Sequence, residues 1–136
     1  MKWYLASRTR HQEKLVELSQ LLEEQDQTIL SDWVYVGSMK PFMENIIEVQ
    51  QLVEHNINQI LQADIFVVFN DLEGTDLLTE TGVALAAAAM GRDLKIYVVG
   101  NQYETSMMQL DKNVVHVEKF SQILDAENLA VIDFDL

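Results

Sequence analysis

The sequence contains no cysteine and only a single proline among its 136 residues. Without cysteine it has neither disulfide bonds nor thiolate metal sites, which permits a cytoplasmic location, and that is the location we expect. No apolar run approaches the roughly 20 residues that a membrane-spanning helix requires, so we expect no membrane partner. The apolar stretch within the first ten residues is too short for a signal peptide and is typical of a first β-strand.

Basic residues are also scarce. Nine Lys and Arg stand against 22 Asp and Glu, and the formal net charge is −13. Nucleic-acid polymers are bound through Lys and Arg that neutralise phosphates, so we expect no such partner. One small anion remains compatible with this composition, because a few local arginines and backbone amides are enough to bind it. The three histidines have no metal-ligand spacing, and we expect neither a metal nor a cofactor.

Apolar side chains, in contrast, make up 49% of the sequence, which excludes a disordered chain. A chain of this length suits a single domain that covers residues 1–136. Five short apolar segments are typical of strands, at residues 3–6, 28–30, 65–69, 94–99 and 114–117. Four segments have helical periodicity or an alanine-rich composition, at residues 11–25, 42–62, 76–90 and 121–129.

Strands that alternate with helices predict an α/β fold of the three-layer, flavodoxin-like or Rossmann-like kind, with a five-stranded parallel sheet. We expect the strand order 2-1-3-4-5, in which the ligand crevice lies between strands one and three. The loop at residues 7–10 and the turn at residues 70–75 then line this crevice, and the loop at residues 34–41 could cover it. Residues 102–112 are ambiguous, a loop with one helical turn. The tail at residues 132–136 alternates apolar and acidic residues, as an added edge strand or an arm onto a neighbouring molecule would.

Four acids follow the central strand within ten residues: Asp71, Glu73, Asp76 and Glu80. Acids near a helix N-terminus are favoured by unpaired amides and the helix dipole, so capping is the simplest interpretation of Asp76. Glu80 lies about one turn further into the helix. Gly82 beside it lowers helix stability and therefore indicates a close approach of another segment. A carboxylate held at such a crevice is a candidate nucleophile toward an anomeric carbon.

Further candidates fall at the ends of the first two predicted strands. Arg8 and Arg10 follow strand one, where they either pair with a phosphate or are simply solvated. Asp32 and Trp33 follow strand two, and the indole ring of Trp33 either stacks on a base or packs in the core.

Four short motifs occur in order along the chain: Tyr4-Leu5-Ala6, Ala63-Asp64, Gly74-Thr75 and Glu80-Thr81-Gly82-Val83-Ala84. Together they resemble the nucleoside 2-deoxyribosyltransferase family and its relatives that hydrolyse the N-glycosidic bond of nucleoside 5′-monophosphates. The resemblance covers essentially the whole chain. It implies that Glu80 is the nucleophile and forms a covalent glycosyl-enzyme. It also implies that Tyr4 orients Glu80 and that Asp71 or Glu73 contacts the sugar or the base.

The resemblance also implies a small-molecule nucleoside or nucleotide as the ligand and a homodimer or larger homo-oligomer as the assembly. The loop after strand one would help to hold the 5′ end, and the amphipathic helix at residues 42–62 offers a surface for assembly. The expected substrate-binding residues are Ser7, Arg8, Arg10, Asp32, Trp33, Asn56, Gly74 and Thr75.

Two features depart from the family pattern. Four residues separate Thr75 from Glu80, which is more than relatives usually have. Asn56 stands where the family often has an aspartate that assists the leaving base, and an amide cannot supply a proton as a carboxyl group does. Either Asp71 takes over this role, or turnover is slow, or the chain only binds its ligand.

The sequence therefore predicts cleavage or transfer at the N-glycosidic bond of a (deoxy)nucleoside or its 5′-monophosphate. A non-catalytic nucleotide-binding module of the same fold is the alternative. A receiver or redox domain has no supporting motif.

Overall fold

The five strands of the computed structural model, which describes residues 1–101 and 106–136, form one sheet. They are β1 (Lys2–Ala6), β2 (Thr28–Ile29), β3 (Ile65–Phe69), β4 (Lys95–Val99) and β5 (Val114–Val117). Every neighbouring pair is parallel, and the order is β2-β1-β3-β4-β5. The predicted fold class and strand order are therefore confirmed.

Four α-helices cover both faces of the sheet. They are α1 (Gln12–Glu23), α2 (Ile46–Gln62), α3 (Asp76–Ala89) and α4 (Ser121–Ala126). Helices α2 and α3 pack against each other and both contact β1, whereas α1 contacts β2. None of the helices among the described residues is long and apolar enough to cross a membrane.

Helix ends differ from the predicted ones for local reasons. Short 3₁₀ turns at Thr9–His11 and Phe42–Asn45 precede α1 and α2, so both helices begin later than expected. Asn128 adopts the left-handed conformation with φ of 57° and ends α4 early. Gly91 ends α3 in the same way with φ of 97°, as the sequence predicts. Part of the ambiguous segment forms a 3₁₀ turn at Met107–Leu110, while residues 102–105 lie outside the described residues.

The two central strands form the middle of the core. All five residues of β3 are buried, and Trp3 to Ala6 of β1 are fully inaccessible. Tyr4 pairs with Phe66 across the ladder, and their rings stack with centroids 5.8 Å apart. Strands buried on both faces are expected where helices cover both sides of a parallel sheet. This packing fixes the position of the Tyr4 side chain.

The carboxy-terminal tail adds no strand to the sheet and packs on its own chain, so the edge-strand prediction for residues 132–136 is wrong. That the tail also contacts a neighbouring molecule stays a prediction. Its Phe134 ring packs against Phe69 and Phe120 with centroids 5.7 and 5.8 Å away. Lys14 of α1 donates a hydrogen bond to the Asp135 carbonyl at 2.9 Å. The apolar residues of the alternating pattern face the core of their own chain, with Ile132 buried, because an uncovered apolar patch remained there.

Two glycines near the candidate nucleophile differ in whether the surrounding structure leaves room for a side chain. Gly74 is buried, and a Cβ at this position would overlap the side chain of Leu77, which is itself buried. A Cβ on Gly82 would meet no atom within 4 Å. Among the described residues the expected close approach at Gly82 is therefore wrong, and the tight contact belongs to Gly74.

Candidate active site

Tyr4 and Glu80 meet between β1 and the helix that follows β3, the two segments that the sequence predicts to border the crevice. The Tyr4 hydroxyl group donates a hydrogen bond to Glu80 Oε2. Strand β1 supplies Tyr4 from the core, and the second turn of α3 supplies Glu80. Leu77 and Ala84 are buried one turn before and after Glu80, so α3 is anchored on both sides of the carboxylate. The crevice thus contains one carboxylate held by a fixed hydroxyl group.

Burial governs the ionisation of this pair. It raises the pKa of Glu80 to about 7, while the hydrogen bond from Tyr4 lowers that pKa and the nearby Asp76 raises it. Burial, followed by the charge of Glu80, raises the pKa of Tyr4 well above its ordinary value. Tyr4 therefore remains a protonated donor at neutral pH, where Glu80 exists in both protonation states. An ionised Glu80 can act as a nucleophile.

The loop after β1 and the turn after β3 are joined by ion pairs. Arg10 Nη2 lies 2.8 Å from Asp71 Oδ2, and Arg8 Nη1 lies 3.0 Å from Glu73 Oε2. Arg8 Nη1 is also 3.5 Å from Asp71 Oδ1. Both predicted phosphate-binding arginines thus lie at the expected crevice, and each already has a carboxylate partner.

Asp71 is held as a carboxylate. Its Oδ1 atom accepts a hydrogen bond from the Glu73 backbone N–H at 2.9 Å. This bond lowers the pKa of Asp71 below its ordinary value, and the charges of Arg10 and Arg8 lower it further. An ionised carboxylate only accepts hydrogen bonds. Asp71 therefore does not fit the role of substitute proton donor, although it can still accept hydrogen bonds from a sugar or base.

The residues after β2 are fastened to β1. Leu5 N–H donates to Ser31 Oγ at 3.0 Å, and Trp33 Nε1 donates to the Leu5 carbonyl at 2.8 Å. Trp33 is only 8% exposed and belongs to the hydrophobic core. The indole ring of Trp33 is therefore packed in the core and is not available to stack on a base. Asp32, between these two anchors, has both carboxylate oxygens within 3.0 Å of His55 Nε2.

The other predicted substrate-binding residues occupy varied positions. Ser7 is buried, and its hydroxyl group donates to the Arg8 carbonyl at 3.2 Å. Thr75 precedes α3, but its side chain makes no capping hydrogen bond. Asn56 lies on α2, and its buried Oδ1 atom has no hydrogen-bond partner among residues 1–101 and 106–136. A buried amide oxygen without a partner is a candidate contact for a ligand.

Sequence reasoning missed two polar side chains, His55 and Gln109, which contact residues near the carboxyl ends of the strands. His55 lacks metal-ligand spacing, and that criterion does not detect a His–Asp pair. Gln109 is almost completely buried and donates to Asn70 Oδ1 at 2.9 Å from within the ambiguous segment. Asn70 also lines a polar cavity of about 240 Å³ together with Arg10 and residues of the carboxy-terminal tail. No periodic pattern connects such distant positions.

The fold is similar to that of a known structure. The structure of Clostridium botulinum CMP N-glycosidase, BcmB, matches with a TM-score of 0.59 and 16% sequence identity. The match covers 94% of this chain and 98% of that chain. No protein-family model and no curated protein matches the sequence. At this identity the likeness establishes the fold, and the roles of individual residues rest on the geometry above.

The described residues contain no group of three or more His, Asp or Glu side chains placed to hold a metal ion. That no metal or cofactor takes part stays a prediction. The chemistry available to the site is that of a partly buried carboxylate, a fixed hydroxyl group and two arginines.

Proposed function

We propose that this protein breaks the N-glycosidic bond of a nucleoside or nucleoside 5′-monophosphate by covalent catalysis at Glu80. The observation that carries the proposal is the hydrogen bond from the buried Tyr4 hydroxyl group to Glu80 at the carboxyl edge of the sheet. Ligands of open α/β folds bind at this edge, beside the strand-order switch. The fold likeness to a CMP N-glycosidase supports the same class of reaction.

In the first step an ionised Glu80 oxygen attacks C1′, and the bond from C1′ to the base nitrogen breaks. In the second step water or an acceptor base attacks C1′ and releases Glu80. Tyr4 keeps Glu80 on one side of the sugar, because its own ring is fixed by stacking on Phe66. Asp71 accepts a hydrogen bond from the sugar or the base. The proposal covers both hydrolysis and transfer, and both ribose and 2-deoxyribose.

The loop at residues 7–10 is proposed to hold the 5′ end. Arg8 is paired with Glu73, whose side chain is 80% exposed. An exposed ion pair contributes only about 0–1 kcal/mol, so a phosphate can replace Glu73 as the partner of Arg8 at little cost. Charge-assisted hydrogen bonds from arginine to phosphate are stronger than most neutral ones.

We also propose a homo-oligomer that assembles through α2 in the cytoplasm. Ile60 is the only buried residue of this helix, while Ile47 and Val53 are 65% and 51% exposed. Val53 and Ile57 line a groove of about 310 Å³ along the helix. An apolar face of this kind is typical of an interface between subunits. Sedimentation velocity measures the state directly, and a monomer at micromolar concentration contradicts this part of the proposal.

The substrate class is tested by incubating the protein with nucleosides, 2-deoxynucleosides and the 5′-monophosphates of both, with and without an acceptor base. Free base released without an acceptor indicates hydrolysis, and base exchange that needs the acceptor indicates transfer. If no bond is cleaved but a nucleotide raises the melting temperature, the chain is a nucleotide-binding module.

The nucleophile is tested by Glu80→Gln and Glu80→Ala. We expect each to lower kcat by at least about a thousandfold, the scale seen when a covalent nucleophile is removed. Intact-mass spectrometry of the wild type should show a sugar adduct, and peptide mapping should locate it on the peptide that contains Glu80. Glu17→Gln on α1 removes an exposed carboxylate of the same kind and should leave kcat unchanged. Full activity of Glu80→Ala would refute the assignment.

A further inference from the structure

Asp32 and His55 form an imidazole–carboxylate pair that the proposed mechanism has not used. His55 Nε2 lies 3.0 Å from Asp32 Oδ1 and 2.9 Å from Asp32 Oδ2. Both side chains are 52% exposed, so the pair is open to an incoming ligand. The two residues come from different elements, the 3₁₀ turn at Asp32–Tyr35 and helix α2.

The pair is held beside the Tyr4–Glu80 centre. Ser31 and Trp33, the neighbours of Asp32, are both hydrogen-bonded to Leu5, which is the residue after Tyr4. The charge of Asp32 is close enough to contribute to the raised pKa of Tyr4. Two hydrogen bonds to the backbone of one strand residue, Leu5, therefore fix the segment whose Asp32 carboxylate orients His55. The imidazole lies on α2, whereas Glu80 lies on α3.

The reaction needs a proton donor for the departing base, and the two candidates that the sequence offers for this role, Asn56 and Asp71, are unsuitable. Asn56 is an amide and cannot transfer a proton as an acid does. Asp71 is held ionised by Arg10, Arg8 and the Glu73 backbone N–H. Histidine is the side chain that gains and loses a proton most readily near neutral pH. His55 directly precedes Asn56 on the same turn of α2.

We infer that His55 is the general acid and base of the site and that Asp32 is its positioning residue. This inference rests on the proposed function. As Glu80 bonds to C1′, the electron pair of the C1′–N bond passes to the base, and the base takes a proton from His55. In hydrolysis the neutral His55 then removes a proton from the water that attacks C1′. The bond between C1′ and the Glu80 oxygen breaks, and its electron pair returns to the Glu80 carboxylate.

The hydrogen-bond geometry specifies which nitrogen acts. In the imidazolium form both ring nitrogens carry a proton. Nε2–H is directed to Asp32, so Nδ1–H is the donor available to the base. A carboxylate partner of this kind holds the ring in one tautomer and orientation.

The test compares two leaving groups on the same sugar. His55→Gln and Asp32→Asn are assayed with the best nucleoside substrate and with the 4-nitrophenyl β-glycoside of its sugar. Nitrophenolate departs as an anion and needs no proton. For His55→Gln we expect kcat/KM to fall about a hundredfold or more with the nucleoside, within the range for general acid catalysis, and less than about threefold with the nitrophenyl glycoside. For Asp32→Asn we expect the same selectivity with a smaller loss.

Glu54→Gln, the preceding exposed position of α2, is the control for a changed charge on this helix and should leave both rates unchanged. A loss for His55→Gln that is equal with both leaving groups, or no loss, overturns the inference while the Glu80 results stand. If the wild type cleaves neither compound, the proposed function falls and the inference falls with it. Matching melting temperatures establish that the variants are folded.

Discussion

Two carboxylates at the same edge of the sheet occupy opposite environments. Glu80 is partly buried on α3 and receives one hydrogen bond from a neutral phenol, and burial raises its pKa to about 7. Asp71 lies in the turn before α3 and is surrounded by a backbone N–H and two guanidinium groups, which lower its pKa. The two side chains are chemically similar, so the environment of each carboxyl group decides whether it is protonated or ionised.

The difference separates a reacting group from a supporting one. The ionised form of a buried carboxylate without a cationic partner is poorly stabilised. Such a group loses its charge when it forms a covalent bond, so it gains the most stabilisation from that step. A carboxylate held by two arginines gains little, and it serves as a fixed acceptor instead. Sites in which environments drive two carboxyl pKa values apart commonly divide the chemical roles in this way. The predictions that follow change one side of the contrast at a time.

Among the changes that leave Glu80 itself in place, the largest effect is expected for Tyr4→Phe. The ring still stacks on Phe66, but Glu80 loses the hydrogen bond that lowers its pKa, so its pKa rises above about 7. A hydrogen bond to a charged group contributes about 1.5–3 kcal/mol, and we expect kcat/KM at pH 7 to fall about tenfold to a hundredfold. The ascending limb of the pH profile of kcat/KM should move to higher pH.

Tyr97→Phe is the matched control for Tyr4→Phe. Tyr97 donates to Glu127 at 2.6 Å, beside the amino end of β4, so this variant also removes a Tyr–Glu hydrogen bond. It should lower the melting temperature and leave the pH profile of kcat/KM in place. If the ascending limb of the pH profile of kcat/KM stays in place in Tyr4→Phe, then Tyr4 does not control the ionisation of Glu80.

A smaller effect, on stability, should have opposite sign at the two carboxylates. The pKa of Glu80 rises from 4.5 to about 7 on folding, so the folded state binds the extra proton and stability falls as pH rises through this range. Glu80→Gln should therefore melt a few degrees above the wild type at pH 8 and equal to it near pH 4. The pKa of Asp71 falls on folding, so its contribution is present at neutral pH and lost in acid.

Asp71→Asn should accordingly melt below the wild type at pH 7, by an amount that shrinks as the pH falls below 3.8, the ordinary pKa of this carboxyl group. Thermal melts monitored by circular dichroism in acid below that pH, at pH 4 and at pH 8 compare the two variants. Shifts of the same sign for Glu80→Gln and Asp71→Asn at pH 8 would contradict the contrast between the two environments.

Most of the fold could be predicted from the sequence because it depends on local periodicity. The apolar run of β3, the helical spacing of α1 and α2 and Gly91 after α3 each indicate their element without help from distant residues. The tail could not be predicted, because its alternation fits a strand as well as it fits a cover over Phe69 and Phe120. That choice depends on which apolar surface remains uncovered after the other elements have packed.

The candidate site could be predicted in part from topology and in part from a motif. The strand order indicates the two segments that border the crevice, and the family resemblance implies that Tyr4 orients Glu80, a contact that the structure contains. The Asp32–His55 pair joins positions 23 residues apart on two elements, with no spacing rule to connect them. Trp33 was ambiguous because an indole at a strand end suits a core and a ligand equally well.

The smallest effect is expected at the exposed end of the arginine cluster. Glu73→Gln frees Arg8 from a partner 3.0 Å away, so we expect the KM of a 5′-monophosphate to fall about twofold to fivefold, the scale of one exposed ion pair. The KM of the unphosphorylated nucleoside should stay constant, and Arg8→Gln should raise the KM of the monophosphate alone. The effect should weaken at high salt, because exposed charges are screened. If neither substitution changes the ratio of the two KM values, the loop at residues 7–10 does not bind the phosphate. Arg8 and Arg10 would then only join the loop after β1 to the turn after β3, and the roles proposed for Glu80 and Tyr4 would be unaffected.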